Sequence, residues 1–311
     1  MKIPFEDTAT KFFEHFVLIA EALNEAGMWN DEDKFFYDTM SVAGAEALHL
    51  RIFSIVGLTS LFAVSTIEKR MLDKLNDFSK RISWFENYRK KNKRHWPNEE
   101  RSDGKTILLS LVPRERLIHL LERLLDESQF LSPWGIRALS KYHEENPYTV
   151  AVGGVEYTIR YDPGDSTSDL FGGNSNWRGP VWMPINFLII QSIRHYGEFY
   201  GDELQVECPA GSGNKMNLVQ VADELTYRLI KIFEQDKSGK RAFHGKYNWF
   251  YQRPGNEDLL LFLEYFHGDD GGGLGASHQT GWTALVAELV HTLHGKKPAT
   301  TEKADELNVN P

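Results

Sequence analysis

An all-α fold, built from moderately long helices paired by decorated loops, is predicted by three observations. Helical hydrophobic periodicity recurs along the 311 residues, one short segment switches to period two, and the intervening loops are rich in glycine and aromatic residues. With 41% hydrophobic and 25% charged residues the composition is globular, so a buried core is expected rather than disorder.

The elements follow in order. Over residues 8–26, Phe12, Phe13, Phe16, Val17, Ala20 and Leu23 recur at helical spacing, and Gly27 stands as a stop. Further helices are expected over residues 51–70 and 78–91. The latter ends in Arg89, Lys90, Lys91, Lys93 and Arg94, basic residues that complement a helix C-terminus. Pro113 and Pro133 each stand where a first-turn proline opens a helix, the former ahead of Leu117, Leu120, Leu121, Leu124 and Leu125. Val150 and Val152, then Gly153-Gly154, then Val155, Tyr157, Ile159 and Tyr161 alternate with period two and predict one small β-hairpin. Helical spacing returns over residues 184–200, 216–234 and 280–293, which makes seven or eight helices. The polar tail at 296–311 is expected to be disordered.

Charge and cysteine usage narrow the function. Forty-four acidic against 35 basic residues give a net charge of −9, with a pI near 5.7. That argues against a nucleic-acid binder or a protein dedicated to anionic membranes. The single Cys208 excludes an internal disulfide and any multi-cysteine metal site, and it points to a reducing, cytoplasmic setting. The longest apolar region, residues 48–67, is broken by His49 and Arg51, so no membrane span is expected. Neither phosphate loop, zinc helix, nucleophile elbow nor EF-hand is present, and Gly211-Ser212-Gly213 lacks the context of a dinucleotide site. No metal and no cofactor are expected.

Three loops concentrate aromatic rings with carboxylates and amides. The first, residues 28–38, interleaves Trp29, Phe35, Phe36 and Tyr37 with Asp31, Glu32, Asp33 and Asp38. It fits either a turn over buried rings or a sugar subsite, where rings cover pyranose faces and carboxylates accept hydroxyls. The second, residues 171–186, sets Trp177, Arg178, Trp182 and several asparagines between glycines and a helix start. In the third, Glu264 ends an apolar run and precedes Asp269-Asp270, five glycines and Trp282. A carboxylate at the lip of a core suits a general base, although an ordinary surface Glu fits the same pattern. Asp269-Asp270 also invites a cation loop, but its spacing matches no ligand pattern.

In that order the loops resemble glycoside hydrolase family 63. Asn176-Trp177-Arg178-Gly179-Pro180-Val181-Trp182 followed by Asn186 resembles its WRGPxW…N signature. Glu264-Tyr265-Phe266 leading to Gly281-Trp282-Thr283 resembles the segment that carries its general base. Trp29-Asn30-Asp31-Glu32-Asp33 followed by Phe36-Tyr37-Asp38 resembles a stretch of its larger bacterial members.

The resemblance implies an (α/α)6 barrel, or toroid, over residues 1–295. It also implies inverting, α-glucosidase-like hydrolysis of a terminal α-linked sugar from an oligosaccharide or glycoside. Glu264 then matches the base. Trp29, Asp31, Trp177, Arg178, Trp182, Asn186, His278, Gln279 and Trp282 match the substrate-binding wall. The family's acid lies in a GLD-type loop ahead of the first helix, and no such motif occurs here. The helices also number fewer than the twelve of a full barrel. The expectation is therefore a barrel incomplete at its N-terminus, one that associates with a missing N-terminal portion or with a second copy. Asp31, Asp33 or Asp38 would be a substitute acid. The competing expectation is a carbohydrate-binding or interaction module without the acid. A lyase or epimerase on the same fold fits the three loops less well.

Overall fold

The computed structural model describes residues 6–25, 27–41, 47–92, 97–170 and 175–294. The expected tail at 296–311, the first four residues of the second loop (171–174) and the basic Lys93 and Arg94 lie outside these. Among the described residues, nine α-helices alternate with seven small antiparallel sheets, six of two strands and one of three. The chain is thus helical at its core but carries far more strand pairing than the single hairpin its periodicity predicts.

The long helices stand where the hydrophobic spacing puts them. Glu6–Glu25 buries Phe13, Val17 and Ala20 on one face. It packs on Asn76–Lys91, with the Phe13 and Phe78 rings edge to face at 5.8 Å. Arg114–Leu124 follows Pro113 directly and buries Leu117, Leu120, Leu121 and Leu124, the i, i+3, i+4, i+7 stripe of an amphipathic helix. Met183–Tyr200 lies at the centre, against Leu218–Lys231 and Leu285–His294. Its Gly197 lets the Leu218 and Val219 backbone approach so closely that a Cβ there would stand 2.6 Å from the Val219 amide. Leu218–Lys231 begins on a reciprocal cap: Asn217 accepts from the Gln220 amide, and the Gln220 side chain accepts from the Asn217 amide.

Two expected helices are absent. Residues 51–70 form a 3-10 stretch, Ile55–Phe62, and then a strand, Val64–Glu68, with α-helix only at Lys69–Leu72. The strand pairs with Thr106–Ser110, which also pairs with Asn98–Glu100. The physical reasons are local. Gly57 is pressed against the Phe35 ring and the Phe36 carbonyl, and Val64, Thr66 and Ile67 are β-branched residues that favour a pleated edge.

Pro133 does not open a helix either. With Trp134 it makes the two-residue turn between Leu131–Ser132 and Gly135–Ile136, where its fixed φ suits a turn and its missing N–H costs no ladder bond. The expected hairpin is present as Tyr148–Val152 paired with Val155–Ile159. Gly153 and Gly154, both at positive φ, form its turn.

One large core runs from Trp29 through the 183–200 and 218–231 helices to Leu289. Among the described residues, no helix is long and apolar enough to cross a membrane.

Candidate active site

The signature loop is pinned to the Glu264 segment by backbone pairing. Val181 exchanges hydrogen bonds with Phe266, N to O at 2.8 Å and O to N at 2.9 Å. Gly179 lets the loop pass close to the 161–162 segment, where a Cβ would stand 2.7 Å from the Tyr161 ring and 2.8 Å from the Asp162 carbonyl. This pairing sets Trp182 against Tyr265, ring centroids 4.6 Å apart. Trp177 stacks on the other face of the group, its centroid 4.0 Å from that of Trp182 and the rings within 1° of parallel. Trp282 leans in at 5.5 Å. Trp182 is fully buried and donates its indole N–H to the Asn176 carbonyl at 3.0 Å, whereas Trp177 is half-buried and Trp282 is 39% exposed. The result is an aromatic wall with a fixed centre and accessible edges.

Glu264 stands beside this wall, half-buried. One carboxylate oxygen accepts from the Ser175 hydroxyl at 2.8 Å and the other from the Ala276 amide at 2.9 Å. The Glu264 amide itself donates to the Ala276 carbonyl at 3.0 Å. Gly275, at φ +71°, carries the chain past the carboxylate, where a Cβ would lie 2.6 Å from its oxygen. Both donors are neutral. They fix the plane of the carboxylate without neutralising its charge, and a carboxylate with about four acceptor sites has capacity left to orient a water.

The remaining predicted residues divide by what they touch. The buried Arg178 guanidinium binds Asp162 at 3.1 Å and Ser168 at 2.8 Å, with Ser166 and Thr167 at 3.3 and 3.4 Å, so it clips the 162–168 segment to the signature loop. Asn186 accepts from the Ile136 amide and donates to the carbonyls of Ile136 and Trp182, tying the helix start to the Pro133 hairpin. His278 is exposed, lies stacked 5.5 Å from Phe262 and accepts from the Phe262 amide at 3.3 Å. Gln279 is half-buried and caps the short Thr280–Thr283 helix through its backbone carbonyl.

Trp29 and Asp31 make a different local unit. The Trp29 indole donates to Asp31 at 3.0 Å, packs edge-on against Phe36 at 4.9 Å and lies under the Arg116 guanidinium at 4.7 Å. Trp29 is buried and Asp31 exposed.

Two residues that complete the cluster, Ser175 and Tyr265, lie within the second and third loops but were given no site role from sequence. Ser175 adjoins the recognisable Asn176-Trp177 and Tyr265 adjoins Glu264, so their positions beside the motifs were the available signal. Their contacts cross 89 and 83 residues of chain respectively and leave no trace in local spacing.

Other carboxylates are held by arginines. Burial raises the Asp33 pKa, but hydrogen bonds from Arg51 and Tyr37 and the guanidinium charge outweigh it and leave the group below its ordinary value. Asp269 behaves alike: burial opposes ionisation, but Arg137 at 3.0 Å, Tyr161 at 3.0 Å and Lys141 at 3.4 Å hold it ionised. Neither is suited to donate a proton near neutral pH. Among the described residues, no group of three or more His, Cys, Asp or Glu gathers as a metal site.

Comparison with known proteins identifies the family. The model of the mannosylglycerate hydrolase MGH1-like glycoside hydrolase domain matches residues 63–283, which include Ser175, Trp177, Trp182, Glu264 and Trp282 but not Trp29 or Asp31. An uncharacterised protein of Saccharomyces cerevisiae is 46% identical over 306 residues, 92% of this chain and 28% of that protein. The mannosyl-oligosaccharide glucosidase of the same yeast is 30% identical over 124 residues, 39% of this chain and 12% of the enzyme. A probable mannosyl-oligosaccharide glucosidase of Schizosaccharomyces pombe is 26% identical over 189 residues, 59% and 16% respectively. The matched stretch spans less than a third of the length of each of these relatives. With the signature loop and the Glu264 segment both inside the matched region, the chain belongs to the MGH1-like glycoside hydrolase domain family, a branch of glycoside hydrolase family 63.

Proposed function

We propose that this chain carries the general-base side of an inverting α-glycosidase site, α-glucosidase-like and acting in the cytoplasm on the terminal sugar of an oligosaccharide or glycoside. The observation that carries the reading is the placement of Glu264. Its carboxylate is oriented by two neutral donors beside the Trp177–Trp182–Tyr265 wall, inside the matched glycosidase domain.

In the proposed reaction the pyranose ring lies along the exposed edges of Trp177 and Trp282, and Glu264 takes a proton from a water that attacks the anomeric carbon. Inversion requires a second carboxyl group on the opposite face of the sugar, roughly 6.5–9.5 Å from the base, to protonate the leaving oxygen. Asp33 and Asp269 are held ionised by arginines, so the reading assigns the acid to neither of them. It also takes the helices as part of an (α/α)6 toroid.

The test is turnover of p-nitrophenyl α-glucoside and of mannosylglycerate, with the anomeric configuration of the first-formed sugar followed by NMR. In the complete enzyme, inverted product and loss of turnover in Glu264→Gln, with sugar binding retained, are expected. Full activity in Glu264→Gln sinks the assignment. Sugar binding without any turnover in the complete protein favours the non-catalytic carbohydrate-binding module instead.

A further inference from the structure

Tyr265–Phe266 pairs with Gly273–Leu274 in the hairpin that carries Glu264 at its open end, and two distant segments close on it. Gly164 rests on the His267 ring, where a Cβ would lie 3.3 Å from it, and Gly245 rests on Gly272, where a Cβ would lie 3.0 Å from its Cα. His267 and Gly272 are themselves paired, amide to carbonyl at 2.7 Å. The residues that follow these two glycines, Asp165 and Lys246, meet as an ion pair at 2.7 Å across 81 residues of chain. We propose that the Asp165–Lys246 pair is a specificity element of the Glu264 site, which selects a neutral sugar with two adjacent free hydroxyls and rejects a ligand that bears a carboxylate. That the ligand is a sugar rests on the glycosidase reading, whereas the place of the pair does not.

Short contacts tie the pair to Glu264. Asn176 donates through Nδ2 to the Gly164 carbonyl at 2.9 Å, and the residue before it, Ser175, holds the Glu264 carboxylate. Gly275 lies against both the Glu264 carboxylate and the Tyr265 ring, a Cβ there 2.6 and 2.7 Å from them. The Tyr265 hydroxyl in turn senses the pair. Burial raises its pKa first, the Asp165 and Glu264 charges raise it further, and the Asn176 backbone and Lys246 oppose them. Asp165, Lys246 and Glu264 are thus charged neighbours of one phenol.

The pair is open to solvent, with Asp165 58% and Lys246 56% exposed. An ion pair so exposed contributes little to folding, and its polar atoms stay within reach of a ligand. The Arg178–Asp162 pair differs, since its guanidinium is only 5% exposed and clips the same segment from within.

Chemistry and charge then decide the ligand. A carboxylate accepts hydroxyl protons and an ammonium donates to hydroxyl oxygens, so adjacent hydroxyls on one sugar ring satisfy both members at once. Two carboxylates against one ammonium leave this part of the site negative. A third carboxylate, brought by the ligand, meets like charge, whereas neutral hydroxyls do not.

The test titrates the unaltered protein with glucose, mannose and glucuronate by ligand-observed NMR, free sugars that a glycoside hydrolase does not consume. Glucose or mannose is expected to bind, and glucuronate about tenfold more weakly. Monodeoxy derivatives of the sugar that binds are expected to lose about tenfold in affinity at two adjacent positions. Lys246→Met and Asp165→Ala are each expected to weaken the parent sugar about tenfold and to erase the loss at one of those positions. Asp165→Ala is also expected to improve glucuronate relative to glucose. Both variants are expected to keep the denaturation midpoint of the unaltered protein, which separates lost recognition from lost structure.

The assignment is overturned if no neutral sugar binds, if glucuronate binds more tightly than glucose and mannose, or if both variants leave affinity unchanged. Turnover, scored on the same proteins, separates it from the hydrolase reading. Sugar binding that depends on the pair, without turnover that depends on Glu264, keeps the pair and loses the hydrolase. Turnover that depends on Glu264, with affinity indifferent to the pair, does the reverse.

Discussion

The loop at residues 28–38 and the cluster around Glu264 have nearly the same composition, aromatic rings interleaved with carboxylates, yet they are wired differently. In the first, Asp33 is gripped by Arg51 through both oxygens, at 2.8 Å each, and Arg123 binds its backbone carbonyl. Its neighbours Phe35, Phe36 and Tyr37 are buried. In the second, the Glu264 carboxylate meets only a hydroxyl and an amide among the described residues, and Trp177 and Trp282 of the adjoining wall keep exposed edges. An arginine grip spends a carboxylate's charge on holding the chain together, whereas neutral donors orient the carboxylate and leave its charge available for chemistry. Partner identity, more than residue type, separates a structural aromatic loop from a candidate reaction site.

Four substitutions test that contrast, in descending order of expected effect. Glu264→Gln is expected to lower kcat by roughly 10²–10⁴-fold, the range of a general base, with unfolding unaffected. Trp182→Ala is expected to cost about 3–5 kcal/mol in chemical denaturation, because its ring is 1% exposed and shared between wall and core. A small loss would show that the wall is not part of the fold.

Asp33→Asn is expected to cost about 1–2 kcal/mol, discounted for the 47% exposure of Arg51, and to leave turnover per folded molecule within twofold. A collapse of turnover would instead make Asp33 the missing acid. The sign with pH follows from its lowered pKa: the stabilisation is full above the unfolded value of about 3.9 and is lost as pH falls through the lower folded value. Denaturation midpoints followed from about pH 6 to about pH 3 are expected to drop more steeply in the unaltered protein than in Asp33→Asn. Ser175→Ala, which frees one oxygen of Glu264, is expected to lower kcat about tenfold, or ~1.4 kcal/mol, with little change in KM. An equal rise in KM would assign Ser175 to sugar contact rather than to positioning.

Much of the helical scaffold was legible because burial on one face writes itself into spacing. Leu117, Leu120, Leu121 and Leu124 are an example, and so are the paired glycines of the 153–154 turn. Residues 51–70 misled because an apolar run has no period that separates helix from strand. The deciding contact, Gly57 against Phe35, lies 22 residues away. Two-residue strands such as Tyr265–Phe266 are defined by their partners and leave no pattern of their own.

At the site, the motifs located Trp177, Trp182 and Glu264 along the chain. They carried no information that Arg178 and Asn186 spend their polar groups on Asp162 and Ile136, since those partners are set by folding.

Trp182 belongs at once to the hydrophobic interior and to the wall beside Glu264, and that double membership bears on anyone who would redesign the specificity of this protein. Substituting it removes a fully packed ring, so variants there are expected to lose stability before any effect on a ligand can be read. Trp177 and Trp282 meet the same stack from its accessible side, so under the proposed sugar-site reading they are the positions where ligand choice would be varied while the protein still folds.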